Sequence, residues 1–113
     1  MKTIKVYDIV QRRALVTRDS AKVIREALAS VIAENASEVA VDFSGVDAVT
    51  PSFVDEVLSV VDQAMSEARN RSLRVVFLHS PTRMSAKFVA IGRGRGLSMR
   101  ESESGAWDIR VDG

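Results

Sequence analysis

Apolar and polar residues follow two alternating patterns along this chain. Two short runs, Glu38–Phe43 and Leu73–Leu78, are rich in β-branched and apolar residues and are typical of strands buried in a parallel sheet. Elsewhere, apolar residues recur every three or four positions, as they do on one face of a helix. Because strand-like runs alternate with helix-like stretches, the pattern predicts βαβ units. A length of 113 residues fits a single α/β domain over residues 1–113.

Two stretches have the clear spacing of amphipathic helices. The first follows Asp19, a favourable N-cap residue, and is expected to end near Asn35. The second starts at Thr50 and Pro51, where threonine can cap and proline can take the first helical position, and is expected to end near Arg69. The apolar positions of the first helix are Val23, Ile24, Ala27, Leu28, Val31 and Ile32.

The two ends of the chain carry weaker signals. Alternation around Ile4 predicts an N-terminal strand, or a hairpin in which residues 14–17 pair back. A weaker helix is expected after residues 80–81. The segment 92–96 holds three glycines in five residues, so we do not expect a helix to continue through it, and residues 107–111 alternate like an edge strand.

The composition limits the kind of function. Sixteen Lys and Arg against fifteen Asp and Glu give a formal charge of +1, so no overall charge attracts nucleic acid or an anionic membrane. The absence of cysteine excludes disulfides, thiolate metal sites and cysteine nucleophiles. No apolar run approaches the roughly 20 residues of a membrane span. We expect a cytoplasmic protein that needs no cofactor or metal and has no membrane or nucleic-acid partner.

Polar residues follow both predicted central strands. Parallel strands with right-handed crossovers present their carboxyl ends at one edge of the sheet, and ligands of open α/β sheets bind at that edge. The loops after residues 43 and 78 should therefore lie together. The residues gathered there are Ser44, Gly45, Asp47, Thr50, Ser52, His79 and Ser80.

The segment 41–56 resembles the central signature of STAS domains, the fold of bacterial anti-sigma-factor antagonists. An apolar strand ends in Asp-Phe-Ser-Gly-Val at 42–46, and Ser52 stands where the next helix begins. More closely, the chain resembles a STAS-like family of unknown function, to which Thr-Arg-Asp at 17–19 is also similar. The resemblance implies a mixed sheet of four or five strands with helices packed mainly on one face.

The resemblance also implies a role. In the antagonist family, a partner kinase that is itself an anti-sigma factor phosphorylates the serine at the helix start, and that serine falls on Ser52. This chain would then be a regulatory module that binds a protein with a histidine-kinase-like ATPase fold, acting as kinase or anti-sigma factor. The implied partner-binding residues are Asp42, Ser44, Gly45, Asp47, Thr50, Pro51, Ser52, Phe53 and Asp55.

Three other interpretations are open. Ser52 can serve only as a helix cap, in a capping box with Asp55. Ser52, His79 and Asp47 can be imagined as a serine hydrolase, but no Gly-x-Ser-x-Gly elbow is present, so we expect no enzyme. A sensor that binds a small anion or a nucleotide is the third, because the segment 83–100 is basic and lacks Asp and Glu. Its anion-binding candidates are Arg83, Lys87, Arg93 and Arg95.

Overall fold

The computed structural model describes residues 2–11, 14–15, 18–34, 38–67, 74–80 and 85–111, in which strands and helices alternate. The strands are β1 Lys2–Lys5, β2 Ala14–Leu15, β3 Glu38–Asp42, β4 Ala48–Val49, β5 Arg74–Leu78, β6 Leu97–Glu101 and β7 Trp107–Val111. The helices are α1 Val6–Val10, α2 Arg18–Ala33, α3 Pro51–Glu67 and α4 Ser85–Gly94. None of these helices is both long enough and apolar enough to cross a bilayer.

Five strands form the main sheet in the order β1-β3-β5-β7-β6. β1, β3 and β5 run parallel, with Ile4 opposite Val41 and Val41 opposite Phe77. β7 runs antiparallel to both β5 and β6, so the sheet is mixed. β2 and β4 form a separate parallel pair. The predicted α/β fold with a mixed sheet of four or five strands is confirmed.

The core lies between the helices and one face of the sheet. Val39 and Val41 of β3 and Phe77 of β5 are fully buried and belong to one apolar cluster. Leu28 of α2 and Val57 of α3 are fully buried in the same cluster. Because alternate strand residues share a face, these side chains identify the face that the helices cover. The prediction that helices pack mainly on one face is therefore confirmed.

The opposite face of the sheet carries charged side chains. Nε of Arg74 lies 3.2 Å from Oδ1 of Asp108, and its Nη1 lies 3.9 Å from Oε1 of Glu38. Nη2 of Arg110 lies 3.2 Å from Oδ2 of Asp108. Because these pairs are open to solvent, each is expected to contribute only about 0–1 kcal/mol to stability. This face therefore combines ion pairs with the buried apolar residues Ala40 and Val76, whereas the helix-covered face is apolar.

The N-terminal segment does not form the hairpin that was one of the two predicted arrangements. β1 pairs with β3 in parallel, and a short helix, α1, follows it directly. Residues 14–15 then pair with β4 and not with β1. The predicted N-terminal strand is present, but its partner is distant in sequence, which local alternation could not reveal.

Helix α4 continues through Gly92 to Gly94, so the prediction that a helix stops before this segment is wrong. Gly92 is buried against Met99, and a Cβ placed on it would lie 3.0 Å from Cγ of Met99. The close contact with β6 therefore requires glycine inside the helix. The chain turns only at Gly96, whose φ of +72° suits glycine and whose N–H donates to the Arg93 carbonyl at 3.1 Å.

Three further predictions about the elements need correction. β6 was not predicted, and it takes the edge position, so β7 is an inner strand and not the edge strand that its alternation suggested. Helix α2 begins at Arg18, which places Asp19 in its first turn and not at the cap. The predicted stripe of α2 is wider than the buried face, because Val23 is 46% exposed whereas Ile24 and Leu28 are buried. The predicted helix ends at Asn35 and Arg69 lie outside the described residues.

Candidate functional site

A tight turn after β3 forms the first part of the site. The Val46 N–H donates to the Phe43 carbonyl at 2.9 Å, which closes a four-residue turn. Gly45 has a φ of +87°, which glycine adopts without steric cost. The Ser44 N–H donates to Oδ1 of Asp42 at 2.9 Å, so the Asp42 side chain holds the turn from the last residue of the strand.

His79, directly after β5, is the second part. Its Nδ1 lies 2.9 Å from Oδ1 of Asp42 and 3.0 Å from Oγ of Ser44. Oγ of Ser44 also lies 2.8 Å from the same Asp42 oxygen and donates to it. His79 has a φ of +55°, which is uncommon for a residue other than glycine. The loops after residues 43 and 78 therefore meet at one edge of the sheet, as the sequence predicts.

Asp42 is ionised in this cluster. Partial burial works to raise the pKa of its carboxyl, but the Ser44 N–H, His79 and the Ser44 hydroxyl together outweigh that effect. The pKa therefore lies below its ordinary value of 3.8. An ionised carboxylate only accepts hydrogen bonds, so Nδ1 of His79 carries the hydrogen of the hydrogen bond that it donates to Asp42.

The Asp42-Ser44-His79 cluster lacks the geometry of a serine-hydrolase relay. In such a relay the imidazole stands between its partners, with one nitrogen toward the carboxylate and the other toward the serine. Here the same nitrogen, Nδ1, faces both Asp42 and Ser44. His79 contacts Ser44 and forms no hydrogen bond with Ser52, so the imagined pair of Ser52 and His79 is not assembled. Within the described ranges, no three His, Asp or Glu side chains are grouped to hold a metal ion.

The first turn of α3 forms the third part of the site. Oγ1 of Thr50 accepts a hydrogen bond from the Phe53 N–H at 3.2 Å, which makes Thr50 the N-cap. Pro51 takes the first helical position, as the sequence predicts, and Ser52 is the second helical residue. The Ser52 side chain is exposed and forms no hydrogen bond with any described residue. The alternative that Ser52 caps this helix with Asp55 is wrong, because Thr50 does so.

Two ion pairs surround the next turn of α3. Arg95 forms a bidentate contact with Asp55, donating from Nε to Oδ1 and from Nη2 to Oδ2, both at 2.9 Å. These hydrogen bonds hold the pKa of the Asp55 carboxyl below its ordinary value, and Asp55 raises the pKa of Arg95. Glu56, the following residue, lies 3.6 Å from Nη1 of Arg25 on α2. Asp55 is thus paired with an arginine from the turn after α4, and Glu56 with one from α2.

The predicted partner-binding residues differ in exposure. The exposed ones are Ser44, Gly45, Asp47, Pro51 and Ser52. The partly buried ones are Asp42, Thr50 and Asp55. Phe53 is only 1% exposed and belongs to the core cluster, so its side chain cannot contribute to a contact surface in this structure.

The predicted anion-binding segment does not present four available cations together. Arg83 lies outside the described residues, and Lys87 and Arg93 are exposed on α4. Arg95 is paired with Asp55, which comes from α3 and not from the segment itself. The lack of acidic residues between positions 83 and 100 therefore does not make Arg95 a free anion-binding group.

Tyr7 is a site neighbour that the sequence did not indicate. A Cβ placed on Gly45 would lie 3.2 Å from Cγ of Tyr7, so the ring packs directly on the turn after β3. Tyr7 remains 38% exposed and lines an open surface hollow with Asp8 and Gln11. Its place in an apparent strand pattern gave no signal of this contact, because the contact depends on helix α1.

A comparison with protein families agrees with this arrangement of strand end, turn and helix start. The model of a family described as a STAS-like domain of unknown function matches residues 20–75, which contain β3, the turn after it and α3. This chain belongs to that STAS-like family. No curated protein and no solved structure matches the chain. The STAS-like domain thus has an established family and fold, and the family description assigns it no activity.

Proposed function

We propose that this STAS-like domain is a regulatory module that docks onto a partner protein through the turn after β3 and the first turn of α3. Phosphorylation of Ser52 controls the docking. The partner is a protein with a histidine-kinase-like ATPase fold that acts as a kinase or as an anti-sigma factor. The domain itself contributes a binding surface and no catalytic group.

The exposed hydroxyl of Ser52 is the observation that carries this proposal. It stands at the second position of the 17-residue helix α3, and it is not used as a cap because Thr50 has that role. A kinase can reach it without opening the core. A phosphate at this position would lie near the exposed backbone N–H groups and the positive end of the helix dipole, which favour negative charge.

The effect of a phosphate on docking follows from its charge. Phosphoserine carries about −1.5 to −2 charges at neutral pH. Exposed Ser44 and Pro51 belong to the same proposed surface, so a partner that covers them would also meet the new charge. Placing that charge against an acidic or apolar partner surface weakens the complex by on the order of 1–3 kcal/mol.

Isothermal titration against a purified partner of the histidine-kinase-like class tests the proposal. We expect Ser52→Asp to weaken binding by on the order of 1–3 kcal/mol and Ser52→Ala to leave it nearly unchanged, because only the acidic side chain adds charge. The matched control is Ser98→Asp, which places the same charge on an exposed serine of β6. With ATP, the kinase partner should add one phosphate to the parent protein and none to Ser52→Ala. Equal affinities for the parent, Ser52→Ala and Ser52→Asp proteins would contradict the proposal.

A further inference from the structure

Ser52 lies one helical turn before two carboxylates that are each paired with an arginine. Residues three and four positions apart on a helix are neighbours, with Cβ atoms roughly 5–6 Å apart. Asp55 and Glu56 hold these positions relative to Ser52. Helical side chains also lean toward the N-terminus, so the Asp55 side chain leans toward the turn that holds Ser52.

The arginine on Asp55 is well suited to a phosphate. The planar guanidinium of Arg95 donates two hydrogen bonds of 2.9 Å to the Asp55 carboxylate, and a phosphate can accept the same bidentate pair. The Arg95 side chain is 36% exposed and that of Asp55 46%, so the pair can rearrange without opening the core. A phosphate carries up to twice the charge of the carboxylate with which it would compete.

We propose that Arg95 is the internal receptor for a phosphate on Ser52 and that phosphorylation moves its guanidinium from Asp55 to the phosphate. This inference rests on the proposed function, since it requires Ser52 to be modified. It assigns Arg95 a role in holding a phosphate attached to the chain itself, in place of the free anion or nucleotide suggested by the basic segment. The contact between α3 and the turn after α4 is then made through the phosphate.

The exchange changes the surface as well as the contact. In the unmodified protein, the charge of Asp55 is balanced by Arg95. After the exchange, Asp55 has lost this counter-ion while the phosphate has gained one. The negative charge near the start of α3 is thus spread over position 52, which belongs to the proposed docking surface, and position 55, which lies one turn further along the helix.

The test uses the full chain with phosphoserine incorporated at position 52 during synthesis, so that no kinase is needed. The second pKa of the phosphate is measured by phosphorus NMR in the parent and in Arg95→Gln. We expect the pKa to be lower in the parent by roughly 0.5–1 unit, the effect of one positive charge about 4 Å away in a high-dielectric setting. Arg93→Gln, two residues away on the same segment, is the matched control and should retain the parent value.

A second measurement needs no variant and so does not depend on variant folding. In the parent protein, the Nε–H resonance of Arg95 should shift when Ser52 carries phosphate, whereas that of Arg93 should not. Identical phosphate titrations in the parent and Arg95→Gln proteins, or an unchanged Arg95 resonance, would overturn the inference. Neither outcome bears on whether a partner binds, which the titrations with Ser52 variants decide separately.

Discussion

At the scale of single residues, the sequence allows either Thr50 or Ser52 to cap the start of α3, and the structure gives that role to Thr50. Thr50 accepts the Phe53 N–H and so completes the start of α3. Ser52 is exposed and forms no hydrogen bond within the described part of the chain. A polar residue that does no structural work is free to be modified without loss of the fold.

This division predicts different stability effects for two alanine substitutions. Thr50→Ala removes the helix cap and should lower the free energy of unfolding by about 1 kcal/mol. Ser52→Ala removes no hydrogen bond and should change it by less than about 0.5 kcal/mol. Urea unfolding followed by circular dichroism measures both. An equal loss in the two variants would mean that Ser52 also supports the helix start.

Asp42 makes stability depend on pH. Its pKa is lower in the folded protein than its ordinary value of 3.8, so the carboxylate stabilises the fold above that value. This contribution is lost as the pH falls from about 3.8 through the lower folded pKa. Asp42→Asn should therefore lose less stability than the parent between pH 5 and pH 3, as measured by urea unfolding at each pH. Parallel losses in both proteins would rule out Asp42 as a source of the pH dependence.

At the scale of secondary-structure elements, α4 shows how packing overrides local preference. Gly92 and Gly94 both lie in this helix, yet their surroundings differ. Gly92 is pressed against Met99 and the Leu97 carbonyl, whereas a Cβ on Gly94 would have no atom within 4 Å. The first glycine allows α4 to approach β6, and the second has no such role.

Substitution of these two glycines by alanine should therefore have opposite effects. Gly94→Ala should raise the free energy of unfolding by about 0.5–1 kcal/mol, because alanine is the better helix former and nothing obstructs its methyl group. Gly92→Ala should lower it by about 1 kcal/mol, because its methyl group displaces Met99. Chemical unfolding of the two variants and the parent protein measures both changes in the free energy of unfolding. A stabilising Gly92→Ala would show that the flexible Met99 side chain moves aside at no cost.

At the scale of the whole molecule, one apolar cluster joins the sheet to the helices. The rings of Phe43 and Phe77 meet edge to face with centroids 5.2 Å apart, which connects the turn after β3 to β5. Both rings are fully or almost fully buried in the same cluster as Trp107 of β7. The candidate site is therefore built directly on the centre of the core, and the core residues control its position.

Phe77→Ala should lower the free energy of unfolding by about 3–5 kcal/mol, because it removes a buried ring and leaves a cavity.

Since the core is continuous, the near-ultraviolet signal of Trp107 and the far-ultraviolet signal of the helices should change in a single coincident transition when the parent protein unfolds in urea. Separate transitions for the two signals would show that β7 and the helices unfold independently.

The sequence alone determined the features that depend on neighbouring residues. Apolar runs predicted the buried strands β3 and β5, helical spacing predicted α2 and α3, and the Thr-Pro pair predicted the start of α3 at Pro51. The meeting of the loops after residues 43 and 78 followed from these elements and their order, and the resemblance of the segment 41–56 to STAS domains indicated the fold. Each is coded by contacts or propensities within a few residues, which a pattern can reveal.

Only the tertiary structure decided which distant groups meet. Asp55 pairs with Arg95 across 40 positions, and His79 joins Asp42 across 37, although several other charged partners were available in the sequence. Gly92 is accommodated inside α4 because it lies against Met99. Helix propensities describe single residues and do not include such a contact. Such contacts depend on the relative placement of whole elements in three dimensions. The sequence therefore indicated that Ser52 lies at the start of α3, and the packing of α4 against α3 decided that Arg95 is the cation paired with Asp55 in the next turn.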